Sequence, residues 1–192
     1  MPNETGMIRL FFALPAEGAQ DFLRHAHGEL NAFPRVLKTV APKNYHITLK
    51  FLGETGPDVF RSLRQDFQLL NFDYASVPYV MRGLGAFPDV RRARVLWCGL
   101  DLDGGRIRLI QNAIEELCAP YGFKKENRAF QPHLTLARTR RDMKIPASLT
   151  EYIAANRDTV FGESTFKRIV LFKSDLRRDG PVYTPVEERL LA

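Results

Sequence analysis

Apolar and polar residues are arranged along the chain in two patterns, one typical of strands and one of helices. Short apolar or alternating segments bounded by Gly, Pro or polar residues predict seven strands: Met7–Leu14, Tyr45–Leu52, Val77–Gly85, Arg94–Leu100, Pro132–Ala137, Phe166–Phe172 and Tyr183–Glu188. Apolar residues three and four positions apart predict four helices: Ala16–Phe33, Asp58–Leu70, Arg106–Tyr121 and Ala147–Asn156. Helices mixed with hairpin-like strand pairs favour an α+β fold over a parallel, doubly wound sheet.

The predicted elements contain a faint internal repeat. The stretches NYHITLKF (residues 44–51) and QPHLTLAR (residues 131–138) both place His-x-Thr-Leu in a predicted strand, and a helix and two strands follow each of them. His46 and His133 are 87 positions apart, which gives the length of the repeat. We therefore expect one domain, residues 1–192, built from two pseudo-symmetric lobes of antiparallel β-sheet and helix, with equivalent strands face to face.

The first copy of the motif places its polar side chains on one face of its strand. Successive side chains in a strand point to opposite faces, so residues two apart share a face. His46, Thr48 and Lys50 are therefore predicted to point the same way. The residues between them are predicted to point into a core: Ile47, Leu49 and Phe51.

The second copy follows the same rule. Gln131, His133 and Thr135 are predicted to share one face, with Leu134 and Leu136 on the other. Arg138 is out of phase with His133 in a regular strand. A bulge or turn at the strand end would bring Arg138 to the face of His133.

Two facing histidines suit the cleavage of a phosphate ester. Imidazole titrates near neutral pH, so one ring can accept a proton while the other donates one. In-line displacement at phosphorus needs a base at the attacking oxygen and an acid at the departing oxygen. Threonine hydroxyls can hold the non-bridging oxygens, and a nearby cation can offset the developing charge. No carboxylate cluster near either motif offers to hold a metal.

A purely structural role is the alternative for these motifs. One His-x-Thr in a strand is usually structural, because Thr is a good strand former. Two copies, each followed by Leu, are different, because the chain has only four histidines. We therefore interpret the pair as a site.

Charge and cysteine content add two expectations. The chain has 28 basic and 22 acidic residues, a net charge of +6, and four clusters of basic residues: Arg91, Arg92 and Arg94; Lys124, Lys125 and Arg128; Arg138, Arg140 and Arg141; Arg177 and Arg178. One such cluster is usually a solvated surface, but four beside one site would indicate nucleic acid. Cys98 and Cys118 lie in apolar surroundings and are expected to be buried thiols, which suits the cytoplasm.

The motifs resemble those of the 2H phosphoesterase superfamily, which is defined by two His-x-Thr/Ser motifs. The chain is most similar to the bacterial and archaeal RNA 2',3'-cyclic phosphodiesterases, also described as 2'-5' RNA ligases. The similarity runs nearly end to end, in order, through five stretches: RLFFALP, NYHITLKFLGE, RVLWCGL, QPHLTLAR and VLFKSDLRRDGPVYTPVEE.

This resemblance implies a bilobal α+β fold with a basic groove between the lobes. It implies hydrolysis of a terminal 2',3'-cyclic phosphate to a 2'-phosphate with no metal and no cofactor, and the reverse joining of RNA ends by a 2'-5' bond. His46 would be the general acid and His133 the general base. Thr48 and Thr135 would hold the phosphate, with help from Arg138.

The implied partner is RNA with a 2',3'-cyclic phosphate end, with tRNA halves as one candidate, and we expect a monomer that binds no membrane. Two further residues are candidates for substrate binding. Lys50 would reach the phosphate, and Phe11, which shares a face with Arg9, would stack on a base. Two alternatives stay open: a non-catalytic protein that binds RNA ends, and a cyclic phosphodiesterase that acts on a small nucleotide.

Overall fold

The computed structural model describes residues 6–70, 73–125, 130–177 and 180–192. These residues contain nine strands: β1 (Ile8–Pro15), β2 (Leu37–Thr39), β3 (His46–Thr55), β4 (Val77–Phe87), β5 (Val95–Leu102), β6 (His133–Thr139), β7 (Val160–Phe166), β8 (Arg168–Arg177) and β9 (Gly180–Leu190). They also contain five α-helices: α1 (Ala19–Phe22), α2 (Arg24–Asn31), α3 (Pro57–Leu69), α4 (Gly104–Cys118) and α5 (Ala147–Ala155).

The strands form two antiparallel sheets, which confirms the α+β prediction. One sheet has the order β3-β1-β8-β9 and the other has the order β2-β6-β5-β4-β7. The sheet that contains His46 therefore takes two strands from the end of the chain. The sheet that contains His133 takes β2 and β4 from the first half. Each half of the chain thus completes the sheet of the other half.

The two sheets also show the internal repeat. Without the short edge strand β2, their orders are β3-β1-β8-β9 and β6-β5-β4-β7. When β2 is left aside, each histidine strand pairs with the strand just before it in the sequence. β3 pairs with β1, and β6 pairs with β5. The two histidine strands approach each other. The predicted pseudo-symmetric lobes are confirmed.

Helices cover the sheets with the apolar faces that their periodicity predicts. On α3, Leu63 and Phe67 are buried, and the Phe67 ring packs edge-on against Phe12 of β1 at 4.9 Å. On α4 the buried residues recur three and four apart: Ile107, Ile110, Ile114 and Cys118. Side chains from both sheets belong to one buried apolar cluster. None of the helices in the described part of the chain is long and apolar enough to cross a membrane.

Two features of the fold differ from the sequence prediction. The helix predicted over Ala16–Phe33 is two shorter helices, because Gly18 has the left-handed φ of 80° and the chain breaks again at Leu23. The sequence pattern also misses two strands. The strand β2 has only three residues, and β7 is a partly exposed edge strand whose sequence, VFGESTF, lacks a clean alternation of apolar and polar residues.

Candidate active site

His46 begins β3, and the backbone just before the strand fixes its ring. The Nδ1 atom of His46 lies 2.7 Å from the carbonyl oxygen of Asn44. Because a carbonyl only accepts hydrogen bonds, Nδ1 donates, and Nε2 is the nitrogen left to exchange a proton. Aromatic rings flank the imidazole, with Phe11 at 5.2 Å and Tyr183 edge-on at 5.4 Å between ring centroids.

His133 begins β6 with the same local arrangement. Its Nδ1 atom lies 2.7 Å from the carbonyl oxygen of Gln131, again two residues upstream. Aromatic rings flank this imidazole too, with Phe87 edge-on at 5.0 Å and Trp97 at 6.4 Å. The repeat therefore extends from the sequence to the hydrogen bond that selects Nε2 as the available nitrogen in both rings.

The two histidines lie within electrostatic reach of each other and of Arg138. Burial is the main cause that lowers the pKa of His46, and the positive charges of His133 and Arg138 lower it further, against the Asn44 carbonyl, which raises it. Burial also lowers the pKa of His133, with a smaller lowering from Arg138 and an opposing effect of the Gln131 carbonyl. Both rings therefore stay neutral down to a lower pH than an ordinary histidine does.

A bulge interrupts each histidine strand at the equivalent place. In the pairing of β1 with β3, Ala13 lies opposite Thr48 and Phe12 opposite Lys50, so Leu49 is an extra residue. In the pairing of β5 with β6, one residue is likewise skipped: Trp97 lies opposite Thr135 and Leu96 opposite Ala137. After each bulge the inward and outward positions are exchanged.

The bulge in β6 brings Arg138 to the face of the site. Leu136 and Ala137 are both buried, and Arg138 is exposed, as is expected on the face that carries His133 and Thr135. The bulge that would bring this arginine round is therefore confirmed. Thr135 is partly exposed and Thr48, on the equivalent position of β3, is exposed. Two histidines, two threonines and Arg138 thus lie on two strands that approach each other.

Comparison with known proteins shows the family of the chain. The family described as the 2'-5' RNA ligase superfamily matches residues 13–178. The chain belongs to this superfamily. An Aeropyrum pernix protein named RNA 2',3'-cyclic phosphodiesterase is 35% identical over 79% of this chain and 85% of its own length. A protein of the same name from Methanothermobacter thermautotrophicus is 29% identical over 94% of this chain and 97% of its own length.

Solved structures of similar fold cover nearly the whole chain. The crystal structure of E. coli LigT complexed with 3'-AMP matches with a TM-score of 0.72 and 26% identity, over 97% of this chain and 99% of that one. A Thermus thermophilus protein, TT0787, matches with the same TM-score and 29% identity, over 96% and 98% of the two chains. The fold of this superfamily member therefore resembles both along almost their full lengths.

The prediction that Lys50 binds the phosphate is wrong. The bulge at Leu49 turns Lys50 inward, where it is only 6% exposed. Its ammonium group lies 2.6 Å from the carboxylate of Glu115 on α4 and donates to the carbonyl of Lys124 at 2.8 Å. Lys50 is therefore a buried link between β3, α4 and the segment after α4.

The prediction that Phe11 stacks on a base is also wrong. Phe11 is 3% exposed, because Phe172 stacks on it at 5.3 Å and Tyr183 packs edge-on at 4.9 Å. Phe11 instead packs against the His46 ring and supports it. The aromatic surface that remains accessible beside His46 belongs to partly exposed Phe172 and Tyr183.

Sequence reasoning misses Tyr183 at the site and places Phe51 of β3 on the wrong face. Tyr183 contacts the His46 ring, and the only signal for it is its place in the closing stretch PVYTPVEE. Strand alternation places Phe51 in the core, but the bulge makes it 52% exposed. Its position could not be found without the register of β3 and β1, because HITLKFL fits a regular alternating strand equally well.

A cavity of about 490 Å³ adjoins His46 on the side of the first sheet. Its walls combine aromatic rings with polar groups, among them Asn44, His46, Arg168, Phe172, Tyr183 and Glu188. Arg168 lies between two carboxylates and contacts Glu188 at 2.6 Å and Glu17 by a shorter hydrogen bond. The cavity is large enough for a small organic ligand such as a nucleoside.

The basic clusters contribute unequally to the site. Arg138 is in electrostatic reach of the histidines, whereas Arg92 pairs with Asp89 and Arg140 donates to the carbonyl of Pro34. Two members of the predicted clusters, Arg128 and Arg178, lie outside the described residues. Within the described ranges, no group of three or more His, Cys, Asp and Glu side chains could hold a metal ion.

Proposed function

We propose that this protein hydrolyses the 2',3'-cyclic phosphate at an RNA end to a 2'-phosphomonoester by acid–base catalysis with His46 and His133. The supporting observation is that both imidazoles, on facing strands, use Nδ1 to bind a carbonyl two residues upstream. Two Nε2 atoms are therefore available for two proton transfers. The curated relatives named RNA 2',3'-cyclic phosphodiesterase support the same activity.

The reaction has one attack and one departure at phosphorus. His133 Nε2 takes a proton from water as the water oxygen forms a bond to phosphorus. The bond from phosphorus to O3' breaks, and His46 Nε2 gives its proton to O3'. The products are a 2'-phosphate and a 3'-hydroxyl, with one water consumed. His133 ends protonated and His46 ends neutral, and exchange with solvent restores both.

The cavity beside His46 supports this division of roles. The leaving O3' belongs to the ribose, so the acid must lie on the side of the nucleoside, and the attacking water must lie on the opposite side. A cavity of about 490 Å³ adjoins His46. A nucleoside bound there would present O3' to His46 and leave His133 for the water.

The remaining polar groups stabilise the phosphate. Thr48 and Thr135 can donate hydrogen bonds to the non-bridging oxygens from the two sides of the groove. Arg138 can bind the same oxygens and offset the charge that develops on them. If an RNA 5'-hydroxyl replaces water at His133, the same steps in the same order form a 2'-5' bond and leave a 3'-hydroxyl.

The proposal also covers the domain organisation, the oligomeric state and the cellular location of the protein. We propose that both lobes form a single domain over residues 1–192, because each lobe completes its sheet with strands from the other half of the chain. We propose a monomeric enzyme acting in the cytoplasm on RNA with a cyclic phosphate end, such as tRNA halves. The buried free thiols of Cys98 and Cys118 agree with a reducing compartment.

Turnover of a nucleoside 2',3'-cyclic phosphate in the presence of EDTA tests this function. We expect hydrolysis to continue in EDTA and to give the 2'-monophosphate, separated from the 3'-monophosphate by chromatography. Loss of activity in EDTA, or a 3'-monophosphate product, would contradict the mechanism. Tight binding of an RNA end without any product would instead favour the non-catalytic alternative.

A further inference from the structure

The face of β3 beyond Thr48 carries an aromatic ring and an arginine that the proposed hydrolysis does not use. Phe51 is 52% exposed, and the guanidinium of Arg9, from the neighbouring strand β1, lies 4.6 Å from its ring centroid. Arg9 is also 4.0 Å from the carboxylate of Glu54, at the limit of an ion pair, and its side chain is 34% exposed. This guanidinium is therefore held over a ring at the surface.

The internal repeat explains why a cation is placed there. Phe51 is five residues after His46, and Arg138 is five residues after His133, each just past the bulge of its strand. The first lobe thus has no arginine at the place where the second lobe has Arg138. Arg9 places a guanidinium over Phe51, so that each lobe presents one guanidinium at the equivalent end of its His–Thr face.

The cation–π contact with Phe51 suits Arg9 for binding a phosphate. A guanidinium held over an aromatic ring still has N–H groups that can form two parallel hydrogen bonds to an anion. Arg9 also belongs to the same electrostatic environment as the site. With Arg138 it lowers the pKa of Tyr183, although burial has the larger and opposite effect.

The distance along β3 separates Arg9 from the reacting phosphorus. Five strand positions correspond to roughly 15 Å at the usual rise per residue. Arg138 is close enough to both histidines to lower their pKa values, whereas the guanidinium of Arg9 is held over Phe51 and is not among the charges that act on either ring. A group bound by Arg9 and Phe51 therefore lies outside the terminal nucleotide, whose cyclic phosphate lies between the histidines. An RNA chain has further phosphodiesters at that distance, and a cyclic mononucleotide has none.

We propose that Arg9 and Phe51 form a subsite for an internal phosphodiester of the RNA chain, a proposal that rests on the proposed hydrolysis of RNA ends. Arg9 binds the phosphate, and Phe51 holds the guanidinium in place. The subsite gives the enzyme a preference for an RNA chain over a cyclic mononucleotide.

The test compares two substrates in the variant Arg9→Gln: a cyclic mononucleotide and a short oligonucleotide that ends in a 2',3'-cyclic phosphate. We expect kcat/KM to fall about tenfold for the oligonucleotide, as loss of a charged hydrogen-bonded contact implies, and to stay within about twofold for the mononucleotide. The slope of log KM against log salt for the oligonucleotide should fall by about 0.7, the value for one contact to a single strand.

Two further variants serve as controls. Phe51→Leu keeps an apolar side chain but removes the ring, and it should lower kcat/KM for the oligonucleotide alone by a smaller factor. Arg61→Gln removes one exposed arginine of α3, which pairs with Asp58, and should change neither substrate. If Arg61→Gln matches Arg9→Gln, the effect comes from net charge and the subsite is wrong.

If Arg9→Gln lowers kcat/KM equally for both substrates, or for neither, the proposed subsite is wrong. Hydrolysis of the mononucleotide by the unaltered protein tests the proposed function separately. Its failure would refute the function, whereas an unchanged ratio of the two substrates in Arg9→Gln would refute only the subsite.

Discussion

At His46 and His133 the same hydrogen bond, from Nδ1 to a carbonyl two residues upstream, determines which ring nitrogen can exchange a proton. The sequence predicts that each histidine shares a strand face with the threonine two positions later, because strand periodicity is local. It does not predict the carbonyl contacts, since these depend on the backbone conformation at Asn44 and Gln131 before each strand begins.

The pH dependence of the rate follows from these two rings. Burial lowers the pKa of both histidines from the ordinary value of 6.5. As a base, His133 must be neutral, so kcat/KM falls as the pH drops below its pKa. As an acid, His46 must be protonated, so kcat/KM falls as the pH rises above its pKa. We therefore expect a bell-shaped profile of kcat/KM with its maximum below pH 6.5.

The profile of kcat should lie at higher pH than that of kcat/KM. A bound phosphodiester is an anion, which stabilises both imidazolium ions and raises their pKa values in the complex. Initial rates over a series of substrate concentrations at each pH separate the two profiles. A maximum of kcat/KM above pH 7.5, or identical profiles, would disagree with buried rings on either side of the phosphate.

At the level of elements, the paired bulges decide which side chains reach the groove. Regular alternation predicts the faces of His46 and Thr48 correctly but fails for Lys50 and Phe51, because Leu49 is skipped in the pairing with β1. The bulge depends on hydrogen bonds to another strand, so the local pattern does not contain it. For Arg138 the sequence predicts that a bulge or a turn is needed, since a regular strand would point this side chain away from the face of His133.

The buried pair of Lys50 and Glu115 links the first bulge to α4, and its removal should destabilise the fold. Lys50→Met leaves the Glu115 carboxylate buried without this partner, which costs about 3–5 kcal/mol in the free energy of unfolding. The double variant Lys50→Met/Glu115→Leu should recover most of that loss. Urea denaturation of the three proteins measures both effects.

The exposed pair of Lys173 and Asp175 provides the matched control. Its atoms are 3.1 Å apart but both side chains are 41% exposed, so Lys173→Met should change the free energy of unfolding by less than about 1 kcal/mol. A loss in Lys50→Met no larger than in Lys173→Met would show that the buried pair does not stabilise the strand.

At the level of the whole molecule, the site exists because two halves of the chain exchange strands. Neither β3 nor β6 lies in a sheet made only from its own half, so folding of either lobe requires the other. The repeat of 87 residues predicts two similar lobes, but this exchange cannot be inferred from it. Strand order depends on pairings between residues more than a hundred positions apart, such as β1 with β8.

The most direct test of the two-histidine mechanism uses a cyclic phosphate in which sulfur replaces the bridging 3' oxygen. A thiolate leaves without protonation, so His46→Ala should lose about a hundredfold or more on the oxygen substrate and recover nearly all of it on the sulfur substrate. His133→Ala should lose a similar factor in rate on both substrates. His25 is an exposed histidine of α2, and His25→Ala should lose rate on neither substrate. Recovery of His133→Ala instead, or of neither variant, would contradict acid and base roles on opposite sides of phosphorus.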